Sequence, residues 1–316
     1  MTTESAFVAA LRPLAGHPAA RGLVDDAAVL PAPLGRDLVL THDMLVEGVH
    51  FLPGDPAGDI AWKLVAVNLS DLAAKGARPL GVLMGCGLGD DPAWDAAFVV
   101  GLGRALDHFG VPLLGGDTVA MPAGAPRTLG LTALGEAAPG LAPSRAGAQS
   151  GDRLWISGTI GNAGLGLAIA RGESAGPRVL LKAYRLPMPR LAAGRALAPH
   201  VHAMADVSDG LLLDAGRLAG ASGLSLTIDL DAVPLSAEAA ALAGTDRTAR
   251  LAAATAGDDY ELLFAAPEEE GPAIAALAIL LNLALTPIGR FTEGKGVTLE
   301  DREGAVPLPA RLGYEH

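Results

Sequence analysis

The stretch AWKLVAVNLSDLAAKGA, residues 61–77, decides more of the fold than any other part of this chain. Its large apolar residues recur at spacings of three and four, which predicts a helix with one buried stripe. They are Trp62, Val65, Leu69 and Leu72. We expect Asp59 to cap this helix, which should run over residues 60–75 and end at Gly76. Asp71 then lies on a face beside the apolar stripe.

Four short acidic signatures accompany this helix along the chain. They are Asp25-Asp26, Thr41-His42-Asp43, Gly115-Gly116-Asp117-Thr118 and Asp206-Val207-Ser208-Asp209-Gly210. Apolar or small residues flank each signature, which is untypical of a solvated charged face and typical of carboxylates that point into a shared site. Carboxylates that converge repel one another unless a cation lies between them. Hard divalent cations such as Mg²⁺ prefer oxygen ligands, so the pattern indicates a magnesium-dependent phosphate chemistry.

Each signature taken alone also has an ordinary structural explanation. Asp25 and Asp26 could form a turn or a helix cap. Asp43 and Asp117 each follow a short apolar strand, and strand ends are where α/β folds contact their ligands. Asp209 could be the N-cap of the helix that follows it. The combination of signatures is what favours a metal site.

Composition limits the class of protein and its partners. A chain of 316 residues is long enough for two domains, and 50% hydrophobic with 18% charged residues is typical of a globular protein. With 23 basic and 35 acidic residues the net charge is −12, and no basic cluster is present. We therefore expect neither nucleic acid nor a membrane as a partner. A polyphosphate ligand would need metal ions that invert the local charge.

The chain contains one cysteine, Cys86, so no intrachain disulfide or thiolate zinc cluster can form. A single thiol is compatible with a reducing compartment. Residues 1–20 lack the basic and apolar regions of a signal peptide. The longest apolar run, residues 273–285, is too short to span a bilayer. These features predict a cytoplasmic protein.

Strand-like and helical segments alternate in both halves, which predicts an α/β or α+β fold. The predicted strands cover residues 38–40, 111–114, 152–157, 203–207, 224–230, 262–264 and 287–289. We expect Thr41–Asp43 and Gly115–Asp117 to form turns after the first two strands. Helices are predicted after Gly210 and over residues 273–285. The stretch 136–150, rich in Ala, Gly, Pro and Ser, is the best candidate for a linker.

Two other places carry single functional signals. His50 lies between apolar neighbours, where a buried, hydrogen-bonded histidine is the ordinary explanation. The charged run Asp258–Glu261 leads directly into the apolar segment 262–264. That order suggests a site at the entrance of a strand.

The order and spacing of these motifs resemble the thiamine-monophosphate kinase family over essentially the whole chain. The segments that carry the resemblance are VDDAAVL, THDMLVEGVHFLP, AWKLVAVNLSDLAAKGA, LLGGDTV, ADVSDGLLLDAGRLA, AGDDYELLF and the terminal RLGYEH. Related ATP-dependent synthetases, among them aminoimidazole ribonucleotide synthetase, share the architecture and some of the aspartates. The VEGVHF and DYELLF segments favour the kinase.

The resemblance implies a two-domain, aminoimidazole-ribonucleotide-synthetase-like α/β fold. Residues 1–137 would form an N-terminal domain that binds ATP and Mg²⁺, and its sheet would pair across a homodimer. Residues 138–316 would form the C-terminal domain. The implied activity is Mg²⁺-dependent transfer of the γ-phosphate of ATP to thiamine monophosphate, without a side-chain base. The alternatives are another synthetase of the superfamily, such as aminoimidazole ribonucleotide synthetase, or a non-catalytic protein that binds ATP or metal.

The resemblance also implies roles for individual residues. Those expected to bind several Mg²⁺ ions are Asp26, Thr41, His42, Asp43, Asp71, Asp117, Asp206 and Asp209. Those expected to contact the nucleotide are Gly116, Asp117, Arg145 and Ser208. Those expected to contact thiamine monophosphate are His50, Asp258 and Tyr314. Asp117 and Asp209 should be the most critical of the metal ligands. His42 replaces a small hydroxyl residue of the family, and Asp258 replaces a glutamate.

Overall fold

The structure is a computed structural model that describes residues 3–23 and 27–315, with side chains from residue 6 onward. The chain forms two compact units. The first comprises the chain up to Leu72 together with Arg78–Pro139. The second comprises Ala73–Ala77 and the chain from Gly140 onward.

The first unit is built on a four-stranded sheet. Its elements are α1 (Thr3–Leu11), β1 (Asp37–Val46), α2 (Ala57–Ala74, whose last two residues group with the second unit), β2 (Arg78–Leu88), α3 (Pro92–Phe109), β3 (Leu113–Ala120) and β4 (Thr128–Ala137). The strand order is β1-β4-β2-β3, in which only the β2–β3 pair is parallel. The sheet therefore has β1 at one edge and β3 at the other.

Val65, Leu69 and Leu72 of helix α2 are fully buried as predicted, but Trp62 is only half-buried and residues 63–70 are all buried, so the burial is not confined to one stripe. The helix begins earlier than predicted because the carbonyl of Pro56 already accepts the amide of Asp59 at 2.9 Å. Asp59 thus lies in the first turn and does not cap the helix. Gly76, at φ +59°, follows the helix as expected.

Both turns predicted in this unit were wrong. Thr41–Asp43 lies in the middle of β1, where each residue has a partner on β4. Gly115–Asp117 lies inside β3 and pairs with β2. Neither the glycines nor the polar side chains end these strands, because pairing with the one neighbouring strand continues through residues 41–43 and 115–117. Those partners are distant in sequence, so local turn signals did not reveal them.

The second unit contains a seven-stranded mixed sheet of order β11-β10-β7-β9-β5-β8-β6. Its strands are β5 (Arg153–Ser157), β6 (Ala203–Asp206), β7 (Ser225–Asp229), β8 (Leu262–Ala266), β9 (Leu285–Thr292), β10 (Gly296–Asp301) and β11 (Gly304–Val306). Its helices are α4 (Asn162–Ala170), α5 (Arg178–Arg185), α6 (Leu191–Leu197), α7 (Leu211–Ser222), α8 (Ala237–Ala243), α9 (Arg247–Thr255) and α10 (Gly271–Leu281).

All five residues of strand β8, the second strand from one edge of this sheet, are buried. Leu263 packs into a core with residues of α7, whereas Phe264 packs on the opposite side with Ile274 of α10. Burial on both faces explains why this strand reads as a continuous apolar run and not as an alternating one. The alternation of helices and strands predicted from the sequence is confirmed in both units. No helix among the described residues has the length and apolarity needed to cross a membrane.

Candidate functional site

In the first unit, predicted ligands meet where β1 packs against α2. Thr41 and Asp43, two residues apart on β1, lie on the same face of the sheet. The hydroxyl of Thr41 donates a hydrogen bond to the carboxylate of Asp71. The amide N–H of Asp43 donates to Oδ1 of Asn68 at 2.9 Å, and the Asn68 Nδ2 group donates to the Leu64 carbonyl at 2.9 Å. The buried Asn68 therefore fixes the strand on the helix, a role not predicted from the sequence.

The opposite face of the same sheet lines a cavity of about 530 Å³. His42 and Asp117 both line this cavity, together with Leu23 and Ala27. Nδ1 of His42 is 2.9 Å from Oγ1 of Thr132, its register partner on β4. The structure thus brings His42 and Asp117 to one cavity and places Thr41 and Asp43 on the other side of the sheet.

Asp117 is exposed, and Oδ1 of its carboxylate accepts a hydrogen bond from the N–H of Thr118 at 2.9 Å. It has no basic partner among the described residues. The preceding Gly116 has φ +154°, and a Cβ at that position would lie 1.8 Å from the carbonyl oxygen of Met84. Glycine is therefore required for β3 to approach β2 at this point. The carboxylate that follows it is available to a cation.

Within residues 6–23 and 27–315, no three His, Cys, Asp or Glu side chains lie close enough to hold a metal ion by themselves. Asp26, another predicted ligand, lies outside the described residues. The predicted ligands on β1 and β3 do not cluster because three strand spacings of about 4.8 Å separate these two strands by roughly 14 Å in a flat sheet. Apart from the imidazole of His42, the predicted ligands described in this unit offer carboxylate and hydroxyl oxygens, which suit Mg²⁺ with water and phosphate as further ligands. The metal ligands remain a prediction.

In the second unit, predicted residues converge beyond the last residue of β6, the buried Asp206. The carbonyl of Ser208 accepts the amide N–H of Asp258 at 2.8 Å. The carbonyl of the next residue, Asp209, accepts the amide N–H of Tyr314 at 2.8 Å. Segments far apart in sequence are therefore joined here through the backbone. Tyr314 leaves 48% of its surface exposed.

Asp209 is not the N-cap of α7, the ordinary structural explanation for this residue, because the N-cap is Gly210. Its carboxylate instead accepts a hydrogen bond from Nη1 of Arg217 at 2.5 Å. The same nitrogen donates to Asp214 at 2.8 Å, and Asp214 accepts the amides of residues 208 and 209 at 3.1 and 3.0 Å. Burial raises the pKa of the Asp214 carboxyl. Arg217 was missed, although its i, i+3 spacing from Asp214 is typical of a helical ion pair.

The loop that carries Asp258 has an unusual backbone. Asp258 and Tyr260 have φ values of +69° and +51°, a region that residues other than glycine rarely adopt. The Tyr260 hydroxyl donates to Oδ1 of Asp258 at 3.0 Å. Between them, Asp259 accepts the N–H of Gly161 at 2.8 Å at the start of α4, and burial raises its pKa to about 8. The sequence predicted a site at this strand entrance but not the strained backbone.

The other predicted contacts lie in different surroundings. His50, in the first unit, is half-buried, and its Nδ1 accepts the amide N–H of Val46 at 3.0 Å. The Lys63 ammonium donates to the His50 carbonyl at 3.1 Å. Arg145, in the second unit, is exposed and has no acidic partner among the described residues. An exposed guanidinium without an acidic partner can bind phosphate oxygens.

Comparison with known proteins identifies the family. Residues 24–137 match the N-terminal domain model of AIR synthase related proteins, and residues 149–302 match the C-terminal domain model. A thiamine-monophosphate kinase of Caulobacter vibrioides is 42% identical over 97% of this chain and 88% of its own length. The chain belongs to the thiamine-monophosphate kinase family.

Solved structures agree with membership of the thiamine-monophosphate kinase family. The thiamine-monophosphate kinase of Stenotrophomonas maltophilia K279a has a TM-score of 0.81 and 39% identity, covering 88% of this chain and 89% of its own. AaThiL, complexed with AMPPCP and TMP, has a TM-score of 0.77 and 29% identity, covering 90% of this chain and 89% of its own. The predicted two-domain fold is therefore confirmed.

The adjacent glycines of the thiamine-monophosphate kinase motif LLGGDTV give a matched pair of variants. Gly116→Ala should lower the free energy of unfolding by at least about 1–3 kcal/mol, because alanine must strain the backbone or displace β2. Gly115→Ala should be nearly neutral, since its Cβ would meet Leu83 at 3.4 Å, an ordinary contact. Urea unfolding of both variants measures the difference. Equal losses would contradict the close approach described for Gly116.

Proposed function

We propose that this protein transfers the γ-phosphate of ATP to thiamine monophosphate, giving ADP and thiamine diphosphate. The observation that carries the proposal is the similarity to the complex with AMPPCP and TMP, which holds an ATP analogue and an acceptor together. The named relatives and the matching motifs support the same reaction. Residues 1–137 would bind ATP and Mg²⁺, and residues 138–316 would form the second domain.

The acceptor in this reaction is a phosphate oxygen. A phosphate monoester has a second pKa of about 6, so it is already largely anionic at neutral pH and needs no base. The difficulty is the approach of two anionic groups, which enzymes overcome by positioning and by cations on the phosphate oxygens. The absence of a predicted side-chain base is consistent with that chemistry. The exposed Arg145 could supply a fixed positive charge to a phosphate group.

Asp117 is the strongest candidate in the first unit for a magnesium ligand and a nucleotide contact. Its carboxylate is exposed at the cavity, lacks a basic partner among the described residues and follows a glycine at which the backbone approaches closely. Thr41, Asp43 and Asp71 form a second set of oxygen donors against α2. Bound Mg²⁺ would neutralise charge on the phosphates and orient them. The role proposed for these side chains is to bind the Mg²⁺ ions and to fix their positions.

In the second unit, Asp258 and Tyr314 are proposed contacts to the acceptor. Their own backbone amides donate to the carbonyls of Ser208 and Asp209, respectively. The carboxylate of Asp258 would attract the cationic thiazolium ring of thiamine monophosphate. Ser208 and Asp209 remain proposed nucleotide and metal contacts, and in this structure Asp209 is paired with Arg217.

We also propose a homodimer formed through the sheet of the first unit. On β1 the residues at alternate positions, Leu38, Leu40 and Met44, expose 47%, 59% and 50% of their surface. They share a face with His42 and form an apolar stripe on an edge strand, which is typical of a protein interface. A second copy of this sheet is the occupant that we propose. The cytoplasm, the expected compartment, remains a prediction.

The proposed activity predicts a specific choice of acceptor. Purified protein with MgATP should convert thiamine monophosphate into thiamine diphosphate, whereas unphosphorylated thiamine should be a poor acceptor because its hydroxyl is not ionised. Chromatography of the products with both acceptors tests this. Equal turnover of the two would contradict a mechanism without a base. Turnover of formylglycinamidine ribonucleotide alone would favour the aminoimidazole ribonucleotide synthetase alternative.

Removal of one charge at Asp117 should abolish most of the activity. Asp117→Asn should lower turnover by about 100-fold or more while leaving thermal unfolding unchanged, because the exposed side chain supports no other element. Asp107→Asn, an exposed change on α3, is the control and should be neutral. Calorimetry should show that chelator abolishes ATP binding and that Mg²⁺ restores it. Tight ATP binding in chelator would rule out the metal bridge.

A charge on the apolar face of β1 should disrupt the dimer. Leu40→Lys should shift sedimentation toward the monomer because it buries an unpaired ammonium at the proposed interface. Leu280→Lys introduces the same charge at a residue of α10 that is 79% exposed, and should leave the oligomeric state unchanged. A wild-type monomer at micromolar concentration, or a Leu40→Lys dimer, would show that this face is not the interface.

A further inference from the structure

A fully paired, buried carboxylate, that of Glu261, lies between the Asp258 loop and the first residue of β8. The side chain of Glu261 is only 6% exposed. It accepts hydrogen bonds from Oγ of Ser157 at 2.5 Å, from Nε of Arg190 at 2.7 Å and from Nη2 of the same arginine. Ser157 Oγ in turn accepts the amide of Leu262 at 2.8 Å. Two oxygen atoms are thus held by three donors, which fixes the carboxylate in one position.

A glycine completes this arrangement. Gly158 has φ +59°, and a Cβ there would lie 2.1 Å from Oε1 of Glu261. Any larger residue would displace the carboxylate from Arg190. We refer to Ser157, Gly158, Arg190 and Glu261 as the Glu261 clamp.

Stability alone does not account for the Glu261 clamp. Well-packed apolar residues of similar volume usually stabilise a core as well as a buried ion pair does, because both charges must lose their hydration. What an ion pair of this kind supplies is a defined position. A bidentate arginine–carboxylate pair fixes distance and orientation together.

The segment that the Glu261 clamp adjoins has a backbone that needs external support. Asp258 and Tyr260 both have positive φ, and each such residue costs about 1–3 kcal/mol, so the conformation persists only where its surroundings impose it. The amide of Tyr260 donates to the Val207 carbonyl at 2.8 Å, and the amide of Val207 donates to the Glu261 carbonyl at 2.9 Å. The clamp holds the downstream end of this segment. The bond from Asp258 N to the Ser208 carbonyl holds the upstream end.

We propose that the Glu261 clamp is a positioning device that fixes the Asp258 carboxylate for recognition of the acceptor, a phosphate ester that carries a cationic heteroaromatic ring. The proposal rests on the proposed function, in which Asp258 contacts the acceptor. Tyr260 transmits the position, since its backbone is fixed beside Glu261 and its hydroxyl donates to Asp258. Ser157, Arg190 and Glu261 are then positioning residues that act through Asp258.

Glu261→Gln tests the proposal because it retains shape and removes the charge that orders Arg190. The KM for thiamine monophosphate should rise about tenfold, since misplacement of a positioned group by about 1 Å can cost up to about 100-fold. The KM for ATP should stay within about twofold. In an Asp258→Asn background the same change should have no further effect on the acceptor KM, because non-additivity identifies residues that act through one another.

Asp301→Asn is the matched control, because it breaks another bidentate pair of the second unit, with Arg247 at 2.7 and 2.9 Å. It should lower the unfolding temperature without changing the acceptor KM. Ser157→Ala removes one donor and retains the ion pair, so it tests the proposal if Glu261→Gln does not fold. An unchanged acceptor KM, or effects of Glu261→Gln and Asp258→Asn that add, would overturn the positioning role. A wild-type protein that makes no thiamine diphosphate would instead overturn the proposed function.

Discussion

Neighbouring carboxylates can persist in a folded protein only if each one has a donor or a cation beside it, and the two units meet this requirement differently. In the second unit the protein supplies the cations itself, with Arg217 between Asp209 and Asp214 and Arg190 against Glu261. In the first unit Asp117 has only a backbone N–H as partner among the described residues. Water solvates this exposed carboxylate in the free protein, and under the proposed function a Mg²⁺ ion from solution would lie beside it and balance its charge.

Local sequence patterns predicted those elements that depend on residues close together in the sequence. The burial of Val65, Leu69 and Leu72 on α2, the glycine after that helix, the apolar run of β8 and a helix near α10 were all predicted, because each depends on residues within a few turns or on an uninterrupted apolar segment. The extents of β1 and β3 were not, because the ladder partners of residues 41–43 and 115–117 lie on strands distant in sequence. The glycine pair that local signals placed in a turn lies inside β3, and at Gly116 a Cβ would collide with the carbonyl of Met84.

In the second unit, the motifs predicted which residues lie close together. They did not predict the hydrogen bonds and ion pairs that fix those residues. The sequence motifs around 206–210, 258–261 and 314 do meet at one place, through amide-to-carbonyl bonds. Their charge partners were not foreseen, since Arg190 is 71 residues from Glu261 and has no motif of its own. A side chain that only supports another one carries no local signal. Its role becomes visible when the carboxylate it holds is found buried.

Strand alternation explains why the face of the first sheet that carries the cavity is also its apolar exposed face. On β1, Thr41, Asp43 and Leu45 point toward α2, where Asn68 and Asp71 meet them. The residues between them therefore point away from that helix, and Leu40 and Met44 remain exposed beside His42. Successive side chains of a strand point to opposite faces of the sheet, so each one lies on one face or the other. One face of β1 is committed to the helix, so the apolar stripe proposed for the partner subunit and the cavity lined by Asp117, the proposed nucleotide contact, both lie on the other face.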